Sequence, residues 1–138
     1  MTTEPDPTAD PFSLVLPTDA SQLAVLRGEL RPWLRLQGLD ERAAHDVLVA
    51  TGEAASNAIE HPCDPRNAVF RVEGRVGDGE LVIRVSDSGR WREPSLPSRR
   101  GRGLAFMRGL VSDVEVVESD GGTEVVLRQD LRLRTSSS

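Results

Sequence analysis

The chain has 138 residues, of which 38% are hydrophobic and 28% charged, a balance typical of one globular domain. All 17 basic residues are arginine, which excludes a Walker-A phosphate loop and Schiff-base chemistry because both require lysine. The net charge of -5 gives no general attraction to nucleic acid. One cysteine and two histidines do not favour a zinc site. No apolar run is long enough to span a bilayer. A soluble, cytoplasmic protein is expected.

One ordered domain is predicted over residues 11–130, between disordered tails at residues 1–10 and 131–138. The first ten residues are rich in Pro, Thr and Asp, and the last four offer nothing to bury. Within the domain, Phe12–Leu16 has the pattern of a short strand that Pro17 stops.

Two helices follow. Leucines at helical spacing predict the first over Ala20–Leu36, with Pro32 expected to kink it or end it early. Gly38 suits a left-handed residue after the helix. Asp40 is expected to cap the second helix, which should end near His61 because a proline follows.

The second half of the chain changes to strand periodicity. Strands are predicted over Ala68–Val76 and Glu80–Ser86, joined by a hairpin turn at Gly77–Gly79, and over Val114–Glu118 and Thr123–Arg128. The apolar residues expected to line one face of the first pair are Phe70, Val72, Val76, Leu81, Ile83 and Val85.

Between these pairs, Asp87–Arg102 is predicted as a loop and Gly103–Val111 as a compact helix. Leu104 and Met107 would lie on the apolar side of that helix. The order of elements fits the α+β class best, as a two-layer sandwich of a mostly antiparallel sheet with helices on one face.

A first candidate site lies on the second helix, where Glu53, Asn57 and His61 form a polar stripe among small residues. An asparagine oxygen suits magnesium, and a carboxylate one turn earlier could polarise a hydroxyl beside a bound phosphate. The alternative is a solvated stripe on an amphipathic helix.

A second candidate is Asp87, which ends an apolar strand two residues before Gly89. The glycine would permit close backbone approach, and the carboxylate could accept a hydrogen bond from an exocyclic amine such as that of adenine. The alternative is a turn initiated by aspartate.

A third candidate is the run Arg99–Leu104, where arginines and the glycines Gly101 and Gly103 precede the predicted helix. Free N–H groups at a helix start bind anions, and arginine adds donors for phosphate. A solvated loop and a nucleic-acid patch are the alternatives. Thr123 follows two glycines and by itself indicates only a hairpin turn.

Taken in this order, the motifs resemble the nucleotide-binding elements of the GHKL (Bergerat-fold) ATPases, in particular the bacterial anti-sigma factor serine kinases. Glu53-x-x-x-Asn57-x-x-x-His61 is similar to the N box of that family, Asp87-x-Gly89 to its G1 box, and Gly101-x-Gly103-Leu104 to its G2 box. The resemblance covers nearly the whole domain and implies the same α+β fold.

The resemblance also implies a role for each residue. Glu53 would be the catalytic base toward a serine hydroxyl, Asn57 would bind magnesium, and Asp87 would accept the adenine amino group. The other implied ATP-binding residues are Gly89, Arg99, Gly101, Gly103, Leu104 and Thr123.

The implied function is an ATP-binding anti-sigma factor and serine/threonine kinase, often homodimeric, that restrains a sigma factor and phosphorylates an anti-anti-sigma protein of the STAS type. Arg27, Arg31 and Arg35 lie along one face of the first helix, either at a dimer contact or in solvent. The alternative is a partner-binding, sequestering regulator with weak or no ATP binding and no kinase activity. It is motivated by Trp91 in the G1 region and by a lid of only eleven residues between Gly89 and Gly101.

Overall fold

The computed structural model describes residues 10–60, 69–87, 99–119 and 122–131. Of the predicted tails, only Asp10 and Leu131 fall within these ranges. The elements in chain order are β1 (Phe12–Pro17), α1 (Gln22–Leu36), α2 (Glu41–Glu60), β2 (Val69–Gly77), β3 (Glu80–Asp87), α3 (Arg99–Arg108), β4 (Asp113–Ser119) and β5 (Gly122–Asp130).

The described strands form one sheet in the order β1-β2-β3-β5-β4, and each neighbouring pair is antiparallel. Strand β3 therefore lies in the middle. Helix α2 packs across β2, β3 and β5, while α1 contacts β1 and α3 contacts β4. The predicted α+β sandwich, with an antiparallel sheet and helices on one face, is confirmed. No described helix is both long and apolar enough to cross a bilayer.

The core lies between the helices and the strand residues that alternate toward them. On β2 and β3 the buried members are Phe70, Val72, Leu81, Ile83 and Val85, as predicted. Val76 was expected among them but is 36% exposed, because it lies near the hairpin end of β2. That hairpin turns through Asp78 and Gly79, with positive φ angles of 55° and 73°.

Helix α1 runs through Pro32 to Leu36, so the expectation of an early end was wrong. A proline inside a helix removes one backbone hydrogen bond and clashes with the preceding turn. Leu30, Trp33 and Leu34, on both sides of Pro32, are buried in the core, and their packing holds the helix together. Gly38 follows the helix in the predicted left-handed conformation, with a φ angle of +87°.

Helix α3 begins at Arg99, four residues before the predicted start at Gly103, and ends at Arg108 rather than Val111. The start was predicted from where the apolar residues begin. The helix starts earlier because arginine is itself a good helix former. At the other end, the N–H groups of Leu110 and Val111 both bond to the carbonyl of Met107, and this tight turn closes the helix.

Candidate functional site

The C-terminal half of α2 carries the first two candidate residues, Glu53 and Asn57, one turn apart. Ala54, Ala55 and Ala58 lie between and beside them and are buried. Their small side chains let the helix approach the sheet closely. Asp40 fixes the start of α2, because its Oδ1 accepts a hydrogen bond of 2.7 Å from the N–H of Ala43.

Asn57 is half-buried, and its Nδ2 is closed to solvent without a hydrogen-bond partner among the described residues. An unsatisfied buried polar group costs about 1–3 kcal/mol, so the amide suits a ligand rather than a structural role. Within the described ranges no three carboxylate, imidazole or thiol groups cluster as a metal site. A magnesium ion at Asn57 would therefore need water and phosphate oxygens, which are its usual ligands beside phosphate substrates.

The second candidate, Asp87, ends the central strand β3 on the face that the helices cover. It continues the alternation of Ile83 and Val85, whose side chains are buried on that face. Its register partners are Phe70 on β2 and Thr123 on β5. Both neighbours are buried, Phe70 at 1% and Thr123 at 5% exposure. The structure thus brings Asp87 and Thr123 directly opposite each other.

This arrangement can recognise a flat, partly polar ring. A carboxylate accepts hydrogen bonds and a threonine hydroxyl both donates and accepts, and the buried Phe70 keeps the environment beside them apolar. Sequence reasoning missed Phe70 as a neighbour of Asp87. The pairing of the two strands through the hairpin at Gly77–Gly79 could have revealed it, because a two-residue turn fixes the register.

The third candidate run lies in the first turns of α3. Because α3 begins at Arg99, Gly101 falls in the first turn and Gly103 in the second. Free backbone N–H groups belong to the first four residues of a helix, so they lie at residues 99–102. Leu104 is partly buried against the core, and α3 contacts α2, which places this helix beside the one that carries Asn57. Gly89 and His61 lie outside the described residues.

Glu53 lines a groove of about 300 Å³ between α1 and α2, together with Arg27, Arg31 and His45. All three of these basic residues are exposed, and Glu53 is half-buried. From the sequence alone, Arg27 and Arg31 lie either at a dimer contact or in solvent, and His45 has no assigned role. The spacing of four residues between the two arginines was the available signal, but it does not show which helix they face.

The comparison with known families covers most of the chain. Residues 16–129 match the histidine kinase-like ATPase domain. The chain belongs to this family. Membership in this GHKL-type family explains the fold and implies an ATP-binding domain.

This histidine kinase-like ATPase domain is similar to the anti-sigma F factor of Clostridium acetobutylicum. The two are 29% identical in an alignment of 101 positions, which covers 64% of this chain and 71% of that protein. This likeness to an anti-sigma factor agrees with the resemblance that the motifs predicted.

Two solved structures share the fold. The crystal structure of the RsbU and RsbW domains of a Mycobacterium tuberculosis protein matches with a TM-score of 0.70 and 28% identity. That match covers 88% of this chain but only 32% of the other, so this chain spans about a third of its length. A blue-light activated histidine kinase from Erythrobacter litoralis matches with a TM-score of 0.61 and 19% identity, over 87% of this chain and 64% of that one.

Proposed function

We propose that the protein is an ATP-dependent anti-sigma factor kinase, which restrains a sigma factor and phosphorylates a STAS-type anti-anti-sigma protein on serine. The observation that carries this proposal is the position of Asp87 opposite Thr123, on the sheet face that the Asn57-bearing helix covers. The similarity to an anti-sigma F factor supports the choice of partners.

In this proposal the adenine ring binds at the end of β3. The carboxylate of Asp87 accepts a hydrogen bond from the exocyclic amine, and Thr123 supports the ring through a water molecule. Gly89 gives the ring close access to the backbone. Phe70, the β2 register partner of Asp87, is buried in the core on the other side of that residue.

The triphosphate extends from there toward α2 and α3. The free N–H groups in the first turn of α3, that of Gly101 among them, contact the phosphates, and Gly103 and Leu104 continue the helix from this phosphate-binding turn. Arg99 would contact the γ-phosphate, as the resemblance implies. Asn57 would hold a magnesium ion, which would supply charge neutralisation for the phosphates.

Phosphoryl transfer then needs one base. The Glu53 carboxylate takes the proton of the serine hydroxyl, and a bond forms between the serine Oγ and the γ-phosphorus. The bond from that phosphorus to the β–γ bridging oxygen breaks, and ADP leaves with its electron pair. The products are phosphoserine, ADP and one proton, and the enzyme contributes mainly positioning and charge.

The test is a transfer assay with labelled ATP, magnesium and a panel of purified STAS-domain proteins from the source organism. Labelling of a serine by the native protein, and its loss in Glu53→Gln with ATP binding retained, is the expected result. Sigma-factor capture without transfer to any panel member would instead favour the sequestering regulator. Equal transfer by Glu53→Gln would remove that residue from the mechanism.

We also propose that the protein is a homodimer and that it works in the cytoplasm, where the sigma factor and the anti-anti-sigma protein act. Strand β1 is a sheet edge with Val15 49% exposed, which leaves it available for a second copy. Light scattering at micromolar concentration checks this part separately: a mass of one chain contradicts it.

A further inference from the structure

The groove between α1 and α2 is a surface that the nucleotide does not need. The two helices are joined by only four residues and pack against each other, which makes them antiparallel neighbours. Arg31 and His45 therefore lie toward the end near the connection. Leu23 and Glu53 lie toward the opposite end, and all four line the groove.

The groove has unpaired positive charge along one side. Neither Arg27 nor Arg31 forms an ion pair with any described residue. Arg35, one turn further on, lies 3.0 Å from Glu41 and is neutralised by it. The two free guanidinium groups and the exposed His45 stand out on a chain whose net charge is -5. Such a strip attracts and orients an acidic partner.

The floor of the groove is apolar, and its middle is open. Leu48 and Val49 provide the apolar surface from α2. Gly52 lies beside them, and a Cβ atom placed there would meet nothing within 4 Å. An extended segment with acidic and apolar side chains fits such a surface better than a purely charged one does.

Glu53 connects this groove to the nucleotide site. It lines the groove, whereas Asn57, one turn later and about 40° around the helix axis, is half-buried. A segment bound in the groove would therefore pass the carboxylate that the proposed function uses as its base.

From these observations we propose that the groove is the docking site for the protein substrate, which binds it through an acidic segment next to the serine to be phosphorylated. This inference rests on the proposed kinase function and adds the surface and the chemistry of the partner. Arg27 and Arg31 select the acidic segment, and the open space at Gly52 admits it toward Glu53.

The test measures transfer kinetics to the STAS-domain protein that the native chain labels. The double variant Arg27→Glu/Arg31→Glu should raise KM for that protein at least about tenfold, with kcat and the KM for ATP nearly unchanged. Gly52→Gln fills the groove and should also raise the KM for that protein. The matched controls are Arg42→Glu, an exposed arginine outside the groove, and Gly28→Gln, an exposed glycine on α1 with equal free space.

Each other outcome overturns the inference in a distinct way. Unchanged KM in both groove variants removes the docking site while leaving the kinase function intact. An equal rise in Arg42→Glu shows that only net charge matters. If the groove variants lose sigma-factor binding but phosphorylate the STAS-domain protein normally, the groove binds the sigma factor instead. No transfer by the native chain to any panel member overturns the kinase function, and the docking proposal falls with it.

Discussion

Replacement of Asn57 by alanine should make the ligand-free protein more stable and at the same time abolish its response to nucleotide. In the native chain the Nδ2 atom of Asn57 is closed to solvent and has no partner among the described residues. Burying an unsatisfied polar group costs free energy, and replacing the amide by a methyl group removes that cost. Removing a polar group that is hydrogen-bonded would instead lower the stability.

The magnitude follows from two favourable effects and one opposing effect. Relief of the unsatisfied amide gives about 1–3 kcal/mol, and alanine gains roughly 0.5 kcal/mol in helix propensity over asparagine. Loss of packed side-chain volume opposes both. A net gain of about 1 kcal/mol corresponds to a rise in Tm of about 3–5 °C for a domain of this size.

The assay is thermal unfolding with and without Mg-ATP. At a nucleotide concentration of about 100 Kd the native protein gains about 2.7 kcal/mol, and Asn57→Ala should lose that gain. The control is Ser56→Ala, because this neighbour lines the groove instead and should keep the full response to nucleotide. A lower Tm for ligand-free Asn57→Ala, together with an undiminished nucleotide response, would refute the reasoning.

Three further predictions concern single side chains. Gly74→Ala should destabilise the fold by about 1–3 kcal/mol through overpacking, because the new Cβ would lie 2.9 Å from Ile83 and 3.1 Å from Trp33; denaturant unfolding measures this. Asp87→Asn should weaken ATP binding and reduce the preference for ATP over GTP, because an amide can also donate to the guanine carbonyl; calorimetry with both nucleotides measures this. Asp40→Ala should cost about 1 kcal/mol through loss of the cap on α2, again read from denaturant unfolding.

The architecture could be predicted from the sequence because its hydrophobic residues recur at regular helix and strand spacings. Alternation in β2 and β3 and the turn at Gly77–Gly79 predict a hairpin, and the structure has one. Asp40 and Gly38 mark the ends of two helices as predicted. The predicted helix ends were wrong at two places. Tertiary packing carries α1 through Pro32, and α3 starts within a polar run that shows no hydrophobic periodicity.

The candidate site could be predicted as a set of motifs but not as an arrangement. The sequence does not reveal that Thr123 lies opposite Asp87, because this pairing depends on a crossover that places β5 beside β3. It also does not reveal that Glu53 shares a groove with Arg27, since that contact depends on how α1 and α2 pack. Such long-range neighbours are set by topology rather than by local pattern.

The most direct measurement is a crystal structure of the protein with magnesium and a non-hydrolysable ATP analogue. The account predicts one nucleotide whose adenine amine donates to the Asp87 carboxylate and whose magnesium-bound phosphates lie at the Asn57 amide. A nucleotide bound elsewhere, or density that reaches only one of these two side chains, would contradict it.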